Sequence, residues 1–339
     1  MEKTNQNGLD ILKFILAIFV VALHSNLEKT LDLNLYNYIL NILLRLAVPV
    51  FFLSSGYFFA KNYKKSNNYS RNYLKNLAIH YLFWSSLYLV VYVLIYLYLK
   101  KYNDIVDLVL RYVKLTPNGA MWYVSSLIIS VLLLRIFMKN KKVLKYSIIV
   151  AGFLTLFAQT VFFIACTSQS SFFAFLADFL FKIKSGFYDS VCFGYFFTAL
   201  GYYLSKNNIV CNRKNCCYLI IIGAILCVMQ TKFINAHMIN DTAIQIELPY
   251  GIFLSSIGLF YLSLNVNVFK NKDTKVLRKI SSTMFYIHYL VITVCKVVFE
   301  YIIKGTNYVV FFTVVTIITI IISTYLNTYR KNSFLRKLI

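Results

Sequence analysis

The sequence predicts an all-α protein, a polytopic transmembrane helical bundle of about ten spans with both termini in the cytoplasm. Three observations predict this class: the composition, the length of the apolar stretches and the placement of positive charge. Of the 339 residues, 59% are hydrophobic and only 14% are charged, whereas soluble domains carry about 25% charged residues. A water-soluble core cannot enclose so much apolar surface, but a lipid bilayer can solvate it.

Ten apolar stretches account for the predicted spans, and most reach the roughly 17–25 residues that a helix needs to cross a bilayer. In chain order they are Leu9–Leu27, Asn37–Ala60, Leu74–Leu99, Met121–Met138, Leu144–Cys166, Phe187–Leu204, Tyr218–Gln230, Leu248–Leu264, Thr283–Tyr301 and Tyr308–Leu326. No small-residue cleavage site follows the first stretch, so we expect it to be a span and not a cleaved signal peptide. In the second stretch, we expect Pro49 to kink the helix and Gly56 to allow close packing.

Positive charge is concentrated in every second connection between these stretches. The five basic segments are Lys61–Lys75, Arg135–Lys145, Lys206–Lys214, Lys270–Lys279 and Arg330–Lys337. They hold nearly all of the net charge of +23, whereas the alternate connections are close to neutral. Because Lys and Arg remain on the cytoplasmic side during insertion, this alternation predicts both the helix count and the N-in, C-in orientation. It also argues against a basic nucleic-acid-binding protein.

The remaining stretches predict no separate domain. We expect residues 1–339 to form a single membrane-embedded domain, with a short re-entrant or interfacial helix at 172–181 that is too short to span. The seven cysteines show no paired spacing and predict neither a metal site nor a disulfide framework. The glycine-rich nucleotide-binding motifs and the GxSxG and HExxH motifs are absent from the sequence, so a nucleoside triphosphatase is not expected.

The first predicted helix carries ionisable residues at membrane depth, where such residues are costly and typically functional. Lys13 and His24 are separated by eleven positions, which places them on one helix face and about 16 Å apart along the axis. Asp10 lies on the same side. Histidine can act as a general base. In the alternative interpretation, Lys13 reaches the inner headgroups, Asp10 caps the helix and His24 lies at the outer interface.

Five more residues are candidates, each with a structural alternative. Arg45 lies in the second stretch; in its structural alternative, the side chain extends outward near the start of that helix. Arg71 and Lys75 lead into the third span and either bind phosphate or only set the topology. Trp122 opens the fourth span and would otherwise belong to an interfacial aromatic belt. His288 lies well inside the ninth span and would otherwise be a hydrogen-bonded packing residue.

Several segments resemble the acyltransferase-3 family of bacterial membrane proteins. The most specific is LDILKFILAIFVVALHS, which is similar to the family's first helix, where a basic residue, ten further residues and a His follow one another. Lys13 and His24 match these positions, although the usual basic residue is Arg, which makes bidentate contacts that Lys cannot. VPVFFLSSGYFFAKN resembles the second helix. SRNYLKNLAIHYLFW resembles the basic entry to the third, where Arg71 and Lys75 match.

Three further segments carry the resemblance toward the C-terminus. GAMWYVSSLI resembles a Trp-Tyr/Phe motif at Trp122 that is often preceded by His, near which this chain has Ala120. YFFTALGYYLSK resembles a Leu-Gly-Tyr segment around Gly201. ISSTMFYIHYLVI resembles a helix with Tyr-x-x-His, here Tyr286 and His288 with one residue fewer between them. The resemblance covers about residues 8–295.

The resemblance implies a ten-helix fold and an acyltransferase that transfers groups other than aminoacyl groups. It implies transfer of an acyl group, commonly acetyl, from cytoplasmic acyl-CoA to a hydroxyl or amine of a cell-surface glycan or lipid-linked acceptor. Acyl-CoA (acetyl-CoA) would be a donor substrate, with no tightly bound cofactor. The expected location is the plasma membrane of a bacterium, as a multi-pass protein among membrane lipids, with O-acetylation of cell-envelope polysaccharide as the process.

These expectations fit the arrangement along the first helix. Lys13, Arg71 and Lys75 would bind the donor at the cytoplasmic mouth. His24 would then deprotonate the acceptor or accept the acyl group itself, two mechanisms that the sequence does not separate. His288 is the second catalytic candidate.

Two other function classes are compatible with the same residues. A transporter or flippase for a lipid-linked sugar or amino acid would use the buried charges as a solute path, although the sequence shows no inverted repeat. A non-catalytic membrane subunit of a surface-polymer assembly machine is the second. Consumption of acyl-CoA by the purified protein separates the enzyme from both.

Overall fold

The structure of the chain, a computed structural model, describes residues 7–32, 36–63, 68–113, 120–184, 192–239, 249–266, 274–300 and 307–328. Of these described residues, 89% are helical and none lies in a β-strand. The predicted all-α class is therefore confirmed. The α-helices are, in chain order, α1 (Asn7–His24), α2 (Asn41–Arg45), α3 (Ala47–Tyr63), α4 (Tyr69–Tyr98), α5 (Tyr102–Val113), α6 (Trp122–Phe137), α7 (Lys141–Thr167), α8 (Ser171–Lys184), α9 (Gly194–Lys206), α10 (Arg213–His237), α11 (Gly251–Asn265), α12 (Lys275–Val298) and α13 (Tyr308–Thr328).

Each of the ten predicted spans coincides with a helix, the second with α2 and α3 together. Within the described part of the chain, seven helices are long and apolar enough to cross a membrane, which makes the chain a transmembrane helical protein. Helices α6, α9 and α11 are shorter, so the total of ten spans stays a prediction. The seventh predicted span, Tyr218–Gln230, was too short, because α10 is 25 residues long. Polar residues such as Lys214 and Lys232 at its two ends obscured its length in the sequence.

Two helices lie outside the predicted spans. Helix α8 includes the expected short helix at 172–181 and packs Ala177 against Val161 and Phe162 of α7. Sequence analysis does not predict α5, because its acidic residues Asp104 and Asp107 interrupt the apolar pattern.

Helices α12 and α13 run in opposite directions, because Phe299 meets Phe311 at one end and Thr283 meets Asn327 at the other. One end of the bundle, which we call the basic end, carries the helix-terminal residues Lys61, Lys141, Lys206, Arg213 and Lys275. Contacts between distant parts of the chain hold this arrangement together. Near the basic end, Arg213 at the start of α10 donates to the carbonyl oxygen of Asn265 at the end of α11 (2.8 Å). The basic end is the one that the charge pattern predicts to be cytoplasmic.

Glycines bring two pairs of helices into close contact. A Cβ atom on Gly56 of α3 would overlap the backbone of Thr198 in α9, and one on Gly201 would overlap the backbone of Leu53. Gly223 of α10 and the first residue of α11 approach each other in the same way. Membrane helices gain much of their packing energy from such close approach. Helix α1 packs against α3 and α11, one helix from each of these close pairs.

Helices α1 and α12 run parallel and meet at two levels. Thr274 immediately precedes α12. At the basic end, its hydroxyl donates to Asp10 Oδ2 (3.1 Å). At the other end of α1, the ring of His24 stacks on that of His288. Residues far apart in the sequence therefore hold these two helices side by side.

Candidate active site

The two histidines of the predicted catalytic set form one pair. Their ring centroids are 5.6 Å apart and their planes are inclined by 28°. His24 is the last residue of α1 and is half-buried, whereas His288 is fully buried. Of the two residues, only His24 is therefore partly exposed.

Hydrogen bonds to the backbone of its own helix fix the orientation of His288. Its Nδ1 lies 2.7 Å from the carbonyl oxygen of Phe285 and 3.1 Å from that of Met284. Because carbonyl oxygens only accept, Nδ1 must carry the proton and donate it. The other nitrogen, Nε2, is buried and has no hydrogen-bond partner among the described residues. A buried polar atom of this kind points to a catalytic role or to a missing partner.

The pair lies near the middle of α12. His288 is thirteen residues after the start of the helix and ten before its end, or about 20 Å and 15 Å along the axis. Tyr289 meets the His24 ring edge-on with centroids 5.3 Å apart. The pair thus lies midway along α12 and at the end of α1 that is away from the basic end.

The ring of Phe285 lies between His288 and the hydroxyl groups of Tyr123 and Ser55. Phe285 lies 6.0 Å from His288 and 5.1 Å from Tyr123 of α6, measured between ring centroids. The hydroxyl of Tyr123 is 3.2 Å from the hydroxyl of Ser55 on α3. Tyr73 of α4 also lies close to Ser55. Polar side chains from five helices therefore surround this interior region.

The other two aromatic candidates face neighbouring helices. Trp122 packs near Phe52, with ring centroids 6.3 Å apart. The hydroxyl that pairs with Ser55 comes instead from the following residue, Tyr123. Tyr286 stacks flat on Trp84 of α4 (5.6 Å, 9°) and on His80 (5.7 Å). The structure thus places both on the packing surfaces around the pair.

Lys13 and Asp10 lie at the basic end of α1. The Lys13 ammonium is 5.3 Å from the ring centroid of Phe58 in α3. Asp10 is buried and forms an ion pair with Arg278 of α12, Nε to Oδ1 being 3.9 Å. Lys13 also interacts electrostatically with both of these residues. The carboxylate therefore joins two helices and does more than cap one.

Arg71 and Lys75 are exposed on the first turns of α4, also at the basic end. The ring centroid of Tyr73, between them, lies 5.5 Å from that of Phe59 in α3. Phe59 follows Phe58, whose ring the Lys13 ammonium contacts. All three predicted donor-binding cations therefore occupy one end of the bundle. They lie at the end away from the histidine pair.

Arg45 does not join this group. Its Nε donates to Oδ1 of Asn41 on the same short helix α2 (2.7 Å), at the start of the second span. This end lies opposite the basic end.

Sequence analysis missed several residues that the structure brings to the site. Arg278 was counted only as part of the positive charge pattern, and Thr274 was not considered. Ser55 and Tyr123 lay within recognised motifs, but no pattern in the sequence shows that their hydroxyls meet. Their proximity depends on the packing of helices that are distant in the chain.

This arrangement has the parts that group transfer needs. It combines a cationic end, where an anionic molecule would be stabilised, with a pair of imidazoles that can exchange protons deeper in the bundle. The separation along α1 is about 16 Å.

Comparison with known proteins agrees with the sequence resemblance. The model of a family described as an acyltransferase domain matches residues 6–328, nearly the whole chain. No curated protein and no solved structure matches the chain.

Proposed function

Since this chain belongs to the acyltransferase-3 family, we propose that it transfers an acyl group from acyl-CoA to a hydroxyl or amine of a cell-surface carbohydrate or lipid-linked acceptor. The family and the apolar helices make it a membrane acyltransferase. The proposal adds the donor, with acetyl as the acyl group, the acceptor class, and the plasma membrane of a bacterium as the location.

The stacked pair of His24 and His288 is the observation that carries the proposal. Transfer to an alcohol needs a group that accepts the proton of the attacking oxygen. His24 is half-buried and so can reach an acceptor, and we assign it as the general base. His288 has its Nδ1 committed to the backbone and positions the His24 ring.

The reaction follows from these roles. His24 takes the proton of the acceptor hydroxyl as the oxygen bonds to the acyl carbon of the thioester. The carbon–sulfur bond then breaks, and the CoA thiolate leaves and takes the proton from the His24 imidazolium, which returns His24 to its neutral form. The products are the acyl ester of the acceptor and free CoA thiol.

The cations support a donor that enters from the cytoplasm. Lys13, Arg71 and Lys75 lie together at the basic end, which the charge pattern orients inward. The phosphates of CoA would bind there, and its extended pantetheine arm would carry the thioester toward His24. The acceptor would approach from the other end of the bundle, where α1 terminates.

Two measurements test this function. Purified protein in lipid vesicles, supplied with acetyl-CoA and an extract of cell-envelope glycan, is expected to release free CoA thiol. His24→Gln protein is expected to release it at least about a hundredfold more slowly. Cells that express the chain are expected to carry glycans heavier by one or more acetyl groups. Absence of thiol release and of added glycan mass would refute the acyltransfer described here and favour a transport function.

A further inference from the structure

Buried polar side chains fasten the first turn of α1 to the start of α12 at the basic end. The Thr274 hydroxyl donates to Asn7 Oδ1 at 2.8 Å and to Asp10 Oδ2 at 3.1 Å. All three residues are nearly inaccessible to solvent. A carboxylate held this firmly can fix the positions of the cations around it.

Two cations share this carboxylate. The Arg278 guanidinium lies 3.9 Å from Asp10, and the ammonium of Lys13 interacts electrostatically with both residues. One negative charge cannot balance two positive charges, so this group of three has an excess of one positive charge. Excess positive charge beside a buried carboxylate favours the binding of an anion.

Arg278 still has hydrogen-bonding capacity. At 3.9 Å its contact with Asp10 is an ion pair too long to be a hydrogen bond. Within the described parts of the chain, the structure shows no hydrogen bond from its guanidinium, and 42% of the side chain is exposed. A guanidinium presents a planar fork of N–H donors that matches two oxygens of a phosphate.

We propose that Arg278, together with Lys13, binds a phosphate group of the CoA donor, and that Asp10 positions the two cations for it. This inference rests on the proposed function, because it names a further donor-binding residue at the same end of the site. Arg278 supplies the bidentate fork that Lys13 lacks. Asp10 acts as a positioning residue and does not touch the donor.

The test uses CoA itself as the probe, since it carries the phosphates and undergoes no transfer. Its affinity is measured by isothermal titration calorimetry on the purified full chain in lipid nanodiscs. Arg278→Gln is expected to weaken CoA binding roughly ten- to a hundredfold, the loss typical of a charged hydrogen-bonded contact. Lys279→Gln removes the same charge from the adjacent exposed residue and is expected to change the affinity less than about twofold.

The CoA affinity of Asp10→Asn distinguishes a carboxylate that positions the cations from one that only neutralises their charge. The amide still accepts from Thr274, but the negative charge is gone. If the carboxylate only neutralised the cations, this variant would bind CoA more tightly. We expect weaker binding, because the cations lose the group that holds them in place.

Pantetheine, which lacks phosphates, controls for damage to the fold. Wild type and Arg278→Gln are expected to bind it equally, and Arg278→Lys is expected to bind CoA with an intermediate affinity. Equal CoA affinity in Arg278→Gln and wild type would overturn the inference, as would equal losses in the Arg278 and Lys279 variants or a parallel loss of pantetheine binding. A wild-type protein that binds no CoA would refute the proposed donor instead.

Discussion

The ring of His24 at the end of α1 stacks on the ring of His288 in the middle of α12, with centroids 5.6 Å apart. The two residues lie near opposite ends of the sequence, yet they form one pair inside the bundle. His288 is held by its own helix through Nδ1. The orientation of the more accessible ring therefore depends on the buried one.

Replacing the general base should abolish most of the activity. His24→Gln keeps a similar size and some hydrogen bonding but has no nitrogen that titrates. General acid–base catalysis contributes typically about 10²–10⁴-fold, so we expect acyl transfer to fall by about a hundredfold or more in an assay of thiol release. Expression and monodispersity in detergent are the controls. Near-normal transfer by well-folded variant protein would move the assignment to His288.

The two histidines should not act independently. His288→Gln is expected to lower transfer by less than His24→Gln, because His288 positions the base and does not contact the acceptor. The double variant should be no slower than His24→Gln alone, since residues that work as a unit are strongly non-additive. Losses that multiply in the double variant would show that each histidine contributes separately.

Lys13 should affect the donor more than the chemical step. Lys13→Ala is expected to raise the KM for acetyl-CoA by roughly tenfold or more through the loss of a charged contact, whereas Lys13→Arg should retain activity. The matched control is Lys141→Ala, which removes an exposed cation from the same end. An unchanged KM in Lys13→Ala would exclude Lys13 from donor binding.

The crossing of α3 and α9 should tolerate no side chain at Gly56. Gly56→Val would place its Cβ in the backbone of Thr198, and overpacking of this kind typically costs about 1–3 kcal/mol. We expect a lower melting temperature and a loss of monodisperse protein in detergent. Ser86→Val introduces the same side chain on the exposed face of α4 and should have little effect. Equal stability of the two variants would contradict this packing.

The orientation can be tested by cysteine labelling of intact cells. Engineered cysteines at positions 34 and 240 should react with an impermeant reagent from outside, and those at 67 and 140 only after permeabilisation. The charge alternation predicts this pattern. Positions 34, 67 and 240 lie outside the described residues. Reversed labelling of either pair would overturn the orientation.

Much of the fold was predictable because the bilayer imposes simple rules on composition. All ten apolar stretches coincide with helices. The exact bounds were harder, as α10 shows, since helices continue past the apolar part into residues such as Arg213 and His237. Helix α5 escaped prediction because Asp104 and Asp107 interrupt its apolar pattern.

The site was predictable only within single helices. The spacing of Lys13 and His24 places them on α1 at the expected separation. The pairing of His24 with His288 and the ion pair of Asp10 with Arg278 both arise from contact between α1 and α12. Helical periodicity carries no information about which helices become neighbours.

The parallel packing of α1 and α12 fixes the distance between the Asp10–Thr274 contact and the His24–His288 contact. Asp10 meets Thr274 at one level and His24 meets His288 at another, and both helices rise by the same fourteen residues between these contacts, about 21 Å. Neither helix can slide without breaking one contact or the other. The distance from the cationic end to the imidazoles is therefore constant, and a carrier anchored at that end delivers its acyl group only if its arm has the matching length.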